Sequence, residues 1–492
     1  MTRSGQVKAV AALLYSGQVH EAIEACETVL SQYPKDDQML AIHGQALAQA
    51  RRHGDAIGSL LKAIRIEPRQ CEYLTLLGET YMNSGRFHEA LVQFDKALKL
   101  RGDYDPAVAD KANTYLRMGK PKKAGRTIDQ RLALGPATPP IAVLQARVFT
   151  KLEDAESAID ALAPWLESPQ LPVENQRSIH FALGDAHDKA KHYSDAFDAY
   201  QRANALAGQR WNLQEQEQLF TLITKAYGQS MMNALPTSRT DGSAHVFIVG
   251  MPRCGSTLTE QLIHCHPDAH GIGESECLPQ LIQAIHQEQD ADLVWPNGAS
   301  EINADRLTTI AEHYVTHTVI HAGKARRIID KQLGNYLFIG LIQQLLPGAR
   351  IIHCQRHPMD MCLSGWTKQF PPGTNAWADD LDSAGQMYQL YDRLMNHWRD
   401  VCSIPILDIR YEDLVMDLEG SARSILEFCD LPWHPACLRF WENKRATLTL
   451  SNDQVRQPLY QSAKGRHAAW GGLLDPLRTA LGDSIPHYEA HC

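Results

Sequence analysis

Small and helix-ending residues recur at a fixed distance along the first two hundred positions. Ala22, Ala56, Ala90, Ala124 and Ala158 stand 34 residues apart, and Gly44 to Gly78 and Pro34 to Pro68 keep the same interval, with Gly102 in the slot before Pro136. The segments SGQVHEAI, ARRHGDAI, SGRFHEAL and MGKPKKAG fall at one phase of this period. The pattern predicts a helix, a tight turn, a second helix and a loop in each period. A small residue is needed where two helices cross closely, and proline, which has no N–H to donate, ends the second helix. Ala196 follows Ala158 by 38 residues, and the extra length is assigned to a loop insertion in ESPQLPVEN. Five or six repeats are expected over residues 5–208. Residues 209–243, a polar helix-forming stretch closed by the turn-rich PTSRTDGSA, are expected to form a helical linker and loop. The pattern then changes. His245 to Val249 is a short apolar run suited to a buried parallel strand, and Gly250 to Gly255 is a turn. From Ser256 onward, Leu258, Leu262 and Ile263 fall on one side of a helix. Arg350 to Cys354 repeats the strand, turn and helix order.

No run of 18 apolar residues occurs, so no membrane-spanning helix is expected. Arg3 and Lys8 ahead of Ala9 to Tyr15 imitate a secretory leader. That run is short, no clear small-residue cleavage site follows it, and it lies in register with the repeats, so it is read as part of them. A length of 492 residues suggests two to four domains. With 44% apolar and 21% charged residues, the composition excludes a wholly disordered chain, a collagen-like chain and a coiled-coil rod. A net charge of −9 makes a broad affinity for nucleic acid or anionic membrane unexpected. The 11 cysteines, scattered and without zinc spacing, fit reduced thiols in a cytoplasmic protein.

The chemistry gathers after residue 244. A strand, a glycine-rich turn and a helix N-terminus make an anion site, because backbone N–H groups converge there and the helix dipole favours negative charge. The spacing G-x-x-x-x-G-S-T places Ser256 where a nucleotide triphosphatase loop carries lysine, and the positive charge sits earlier, at Arg253. That argues against an ATPase or an ordinary kinase. Arg356 falls at the carboxyl end of the second strand, where open α/β sheets bind ligands. Ser364 and Lys368, on the helix that follows, would converge with it on a second phosphate.

The 34-residue period resembles the tetratricopeptide repeat. Such repeats expose a concave surface for a protein or peptide; a helical spacer or a dimerisation arm, giving a homodimer, is the other reading. The second part resembles sulfotransferases that use 3′-phosphoadenosine-5′-phosphosulfate (PAPS), above all bacterial tetratricopeptide-repeat sulfotransferases and tyrosylprotein sulfotransferases. The resemblance covers residues 244–472 and rests on GMPRCGSTL, CHPDAHGIGE, DKQLGNY, RHPMDMCLSGW, IRYEDLV and SNDQVRQPLYQSAKGR in that order. It implies an α plus α/β chain: a repeat solenoid, then a three-layer, P-loop-like domain with a parallel sheet over residues 244–492.

The resemblance also implies roles. Arg253, Cys254, Gly255, Ser256 and Thr257 would cradle the 5′-phosphosulfate, and Arg356, Ser364 and Lys368 the 3′-phosphate. Tyr411 would lie at the nucleotide. The segment from Ser451 to Tyr460, followed by Arg466, would fold over it. Glu274 would be the general base, with Glu276 close enough to confuse the assignment and His270 a weaker candidate. Lys331 and Ser451 would stabilise charge at the leaving phosphate, and Arg253 the sulfuryl oxygens, with no metal required. Trp366, Trp377 and Trp470 line an acceptor pocket or simply pack. The tyrosylprotein enzymes carry a basic residue at the position of Glu276, so an acidic peptide would be repelled here. A protein tyrosine, a carbohydrate, a lipid or another hydroxyl all remain acceptors to consider. A nucleotide-binding scaffold without turnover and, further off, a P-loop kinase are the competing functions.

Overall fold

Close helix crossings need residues without bulk, and the repeat supplies them. The computed structural model describes residues 3–50, 52–166, 168, 170–208, 211–287, 295–371, 373–442 and 464–490. The described chain divides between His192 and Tyr193 into two compact units. In the first, the periods fold as helix pairs. They are α1 (Arg3–Tyr15) with α2 (Val19–Gln32), α3 (Asp37–Gln49) with α4 (His53–Ile66), and α5 (Cys71–Asn83) with α6 (Phe87–Leu100). Then come α7 (Asp105–Arg117) with α8 (Pro121–Leu132), α9 (Pro139–Lys151) with α10 (Ala155–Leu166), and α11 (Val173–Lys189). Ala22, Ala56, Ala90, Ala124 and Ala158 are all fully buried. A Cβ on Gly44 would lie 2.6 Å from Leu60 Cγ, and one on Gly78 would lie 2.5 Å from Phe94 Cε1, so glycine is what permits each crossing. The turn inside the pair takes a left-handed residue, Gly17, Gly85 or Gly119, and Glu153 adopts the same conformation in the same slot.

The extra four residues do not lie in a loop. Helix α11 begins at Val173, one period after Pro139, and runs 17 residues, against 13 for α3, α5, α7 and α9. Four residues are close to one 3.6-residue turn, so the helix lengthens without rotating its faces far. Nothing between Pro172 and Gly184 breaks it.

The second unit begins with α12 (Tyr193–Ala205), which carries the repeat residue Ala196. Phe197 and Tyr200 pack on Trp366 at ring-centroid distances of 5.1 and 5.6 Å, and Asn204 Nδ2 donates to the Trp366 carbonyl at 3.0 Å. Helices α13 (Leu213–Ala226) and α14 (Gln229–Met232) belong to the same unit. Tyr227, between them, is buried, and a Cβ on Gly340 would stand 2.4 Å from its ring.

Five parallel strands form the sheet, in the order β2-β3-β1-β4-β5. They are β1 (His245–Val249), β2 (Ala269–Gly273), β3 (Arg327–Asp330), β4 (Arg350–Gln355) and β5 (Ile406–Arg410). Between them run α15 (Ser256–His264), α16 (Cys277–Gln287), α17 (Ala304–Ala322), α18 (Ile339–Leu345), α19 (Pro358–Trp366) and α20 (Leu381–Val401). Strand β5 is followed by α21 (Tyr411–Met416) and α22 (Leu418–Phe428), then α23 (Asp475–Leu481) and α24 (Ser484–Ala490). The chain thus has the expected α plus α/β architecture. Strand β1 is central and buried along its whole length, which is why His245 to Val249 reads as an unbroken apolar run. The cysteines among the described residues are free thiols. No described helix is long and apolar enough to cross a membrane.

Candidate active site

The candidate residues follow the carboxyl ends of all five strands, Arg253 after β1, Glu274 after β2, Lys331 after β3, Arg356 after β4 and Tyr411 after β5, the end at which open α/β sheets bind ligands. The turn after β1 is tight on all sides. A Cβ on Gly250 would meet the Cys354 carbonyl oxygen at 2.7 Å and Cys254 Sγ at 2.9 Å. Gly255 caps α15 with φ +97°, and a Cβ there would meet Tyr411 Cδ2 at 2.7 Å. Arg253 itself is left-handed (φ 75°), a conformation that costs a non-glycine residue about 1–3 kcal/mol and clusters at functional loops. Cys254, Ser256 and Thr257 are buried behind it at the start of α15.

That twist turns the Arg253 side chain toward α19, where its Nε donates to Ser364 Oγ at 3.0 Å. Arg356 Nη1 in turn donates to the Arg253 carbonyl at 3.2 Å, and its guanidinium lies 5.0 Å from the centroid of the Tyr411 ring. Arg253, Ser364, Arg356 and Tyr411 therefore meet at one place, although 158 positions separate the first from the last (411 − 253). Lys368 is half-buried and falls two residues past the end of α19 rather than within it; its N–H bonds the Gly365 carbonyl at 2.9 Å.

The second cluster sits at the ends of β2 and β3. Lys331 follows β3 and is 1% exposed, yet its Nζ reaches Glu274 Oε1 at 2.5 Å. The backbone holds this pair in place: the Lys331 N–H donates to the Gly273 carbonyl at 2.9 Å, and the Gly273 N–H donates to Glu260 Oε1 at 3.0 Å. Glu276 is exposed and accepts from Gln332 Nε2 at 2.8 Å, whereas Lys331 bonds Glu274. His270 packs against His264, with ring centroids 5.0 Å apart. Just before Lys331, burial, followed by the nearby Glu260, pushes the Asp330 carboxyl up to about 7 although Tyr314 OH donates to it at 2.7 Å.

Arg466 lies within 5.9 Å of the Trp470 ring centroid. Ser451 and Tyr460 lie outside the described residues. The tryptophans pack: Trp366 and Trp470 against Tyr200, and Trp377 against Phe370, all three largely buried. Three acids escaped sequence reasoning, namely Glu260, Asp360 and Glu412. Asp360 and Glu412 accept backbone N–H groups from far along the chain; the signal available for Glu260 was its place one turn after Ser256 on the helix of the glycine-rich turn.

Comparison with known proteins agrees with this anatomy. Residues 245–435 match the sulfotransferase family, and residues 8–70 and 81–148 match tetratricopeptide-repeat families. The chain combines tetratricopeptide repeats with a sulfotransferase-family domain. An uncharacterized protein of Aquifex aeolicus (strain VF5) is 26% identical over 426 residues, covering 85% of this chain and 56% of the relative. Protein-tyrosine sulfotransferase A of Caenorhabditis elegans is 22% identical over 49% of this chain and 65% of its own length. The protein-tyrosine sulfotransferase of Drosophila melanogaster is 25% identical over 46% of this chain and 47% of its own. The chain spans about half to two thirds of the length of these curated relatives.

Proposed function

We propose that the second unit transfers a sulfuryl group from PAPS to an acceptor hydroxyl, and that the repeats present a protein or peptide acceptor to it. The observation that carries this reading is the pairing of Lys331 with Glu274 at 2.5 Å, beside a turn that joins Arg253 to Ser364 and Arg356. The donor set fits the cofactor. Guanidinium, ammonium and hydroxyl groups, with the N–H groups that open α15, suit the oxygens of a phosphorylated nucleotide, and glycine at 255 lets the Tyr411 ring lie against the start of α15.

PAPS brings an activated sulfuryl group. In this reading Arg253 and the backbone from Cys254 to Thr257 hold its 5′ end. Arg356, Ser364 and Lys368 hold the 3′-phosphate, with Tyr411 packed against Arg356, and Arg466 belongs to the segment that covers the nucleotide. Glu274 takes the proton from the acceptor hydroxyl. Lys331 balances negative charge on the leaving phosphate. The proton taken and the charge released are thus handled by two groups in contact, and the fixed dipoles need no rearrangement as charge develops. Ser451 and Tyr460 would complete the cover over the nucleotide. Glu276, exposed two residues from Glu274, disfavours an acceptor with acidic neighbours.

Transfer of radiolabelled sulfate from PAPS into a lysate of the native host tests the reading. Glu274→Gln is expected to lower transfer by about 10²–10⁴-fold while 3′-phosphoadenosine-5′-phosphate binds within twofold of wild type. Equal loss of binding and transfer would make Glu274 a structural residue instead.

A further inference from the structure

Asp360 has no part in the roles above, yet its surroundings single it out. It stands in the first turn of α19, four residues from Arg356 on one side and from Ser364 on the other, and its side chain is fully buried. A buried carboxylate is expensive unless its lone pairs are taken. Here three donors take them, all from one short segment. The Gly465 N–H donates to Oδ2 at 2.6 Å, and the His467 N–H and Nδ1 both meet Oδ1 at 2.8 Å. Burial alone would raise the carboxyl, but the bonds from His467 and the charge of Arg356 outweigh it and hold Asp360 below the usual carboxylate range.

The donors flank one residue. Gly465 and His467 are the neighbours of Arg466, so the carboxylate clamps the backbone on both sides of that guanidinium. Gly465 adopts φ +68° to begin this turn. A second hold acts on the same segment. The His467 ring stacks on His357 at 4.5 Å and 9°, and the His357 N–H is held by Glu412 Oε1 at 3.0 Å, whose other oxygen accepts from Tyr488 OH at 2.6 Å. Arg466 is thereby tied to the turn after β4 that delivers Arg356.

We propose that Asp360 is a positioning residue: it fixes the Gly465–His467 backbone so that Arg466 is delivered to the same end of the nucleotide as Arg356 and Ser364, the end that carries the 3′-phosphate. This rests on the reading of the site as a PAPS site. Asp360 touches no substrate and acts through Arg466. A carboxylate is required because it is acceptor-only; an amide of the same shape would turn an N–H group against a backbone N–H.

The test uses the full chain and isothermal titration with two nucleotides, 3′-phosphoadenosine-5′-phosphate and adenosine 5′-phosphate. Asp360→Asn is expected to weaken the first about tenfold and the second less than twofold, the size of one lost charge-assisted bond. In steady state the KM for PAPS rises with kcat nearly unchanged. The Asp360→Asn, Arg466→Ala double variant binds no more weakly than Arg466→Ala alone, because the two act as one. His467→Phe keeps the ring but removes the Nδ1 contact, and should show a smaller loss with the same selectivity. Equal loss for both nucleotides, losses that multiply in the double variant, or wild-type binding by both Asp360→Asn and His467→Phe would overturn the inference while leaving the site reading intact. Failure of the wild type to bind 3′-phosphoadenosine-5′-phosphate would overturn the site reading itself, and this inference with it.

Discussion

Gly255→Ala separates backbone strain from contact at the heart of the site. Residue 255 is left-handed, and its added methyl would stand 2.7 Å from Tyr411 Cδ2, closer than van der Waals contact allows. The conformation alone costs an L-residue about 1–2 kcal/mol. Forcing a methyl into a packed site adds about 1–3 kcal/mol more. The ring cannot yield freely, because Arg356 lies 5.0 Å over it, and moving it sacrifices a contact of about 0.5–1 kcal/mol. Gly119→Ala is the control: φ is +68°, no atom lies within 4 Å of the new methyl, and Glu153 adopts the same conformation in the same slot of a later period, so it carries the strain without the clash. Differential scanning fluorimetry should therefore show a small drop in the first unit's transition for Gly119→Ala, about 2–4 °C per kcal/mol, and a clearly larger drop in the second unit's for Gly255→Ala. Titration should show 3′-phosphoadenosine-5′-phosphate binding about tenfold more weakly to Gly255→Ala, since Tyr411, Arg356 and the first N–H groups of α15 all shift, and unchanged binding to the control. Equal melting shifts with unchanged binding would refute the claim that Gly255 is required by the approach of Tyr411.

Arg356→Ala should weaken 3′-phosphoadenosine-5′-phosphate by about 10–100-fold, the scale of a lost charged hydrogen bond or two, and adenosine 5′-phosphate far less; an equal effect in titration would remove Arg356 from the 3′-phosphate. Burial raises the Asp330 carboxyl to about 7, above its value in the unfolded chain. Its contribution to stability is then fully present below about pH 4 and is lost as pH rises through 7, so Asp330→Asn should flatten the fall in melting temperature of the second unit between pH 4 and 7. A slope identical to wild type would refute this. In the repeats, Gly78→Ala drives a methyl to 2.5 Å from the Phe94 ring and should cost the first unit about 1–3 kcal/mol, visible as an earlier melting transition.

Local patterns carried the fold. The repeat alanines are buried where a small residue is needed, and the glycine-rich turn lies between β1 and α15 as its spacing implies. The insertion was misplaced although the signal was present. Val173 keeps the period of Pro139, whereas Gly184 is already displaced by four from the slot that Gly44 and Gly78 define, so the added residues had to lie between 173 and 184, inside a helix. Side chains whose partners are distant were not legible. Asp360 looks like an ordinary first-turn acid until the chain returns 105 and 107 residues later, and Glu412 meets the His357 N–H across 55. Trp366 and Trp470 offered two readings, and only the aromatic face of α12 decides between them.

Glu260 shows how one short helix couples the two halves of the site. Helix α15 starts at Ser256, directly after the glycine-rich turn, and one turn later presents a carboxyl group that is 1% exposed. Its Oε1 accepts from the Gly273 N–H, and the Lys331 N–H donates to the Gly273 carbonyl, so the residue preceding Glu274 is held through both its backbone groups. A displacement of α15 would therefore carry Gly273 with it and disturb the contact between Glu274 and Lys331. Burying an acid for this purpose is costly in a packed interior, and a hydrophobic residue of similar size would pack at less expense. What the acid adds is registry: the glycine-rich turn and the residue preceding Glu274 are tied to one helix, and under the proposed transfer, in which misplacement by an ångström costs rate, that tie keeps the two together.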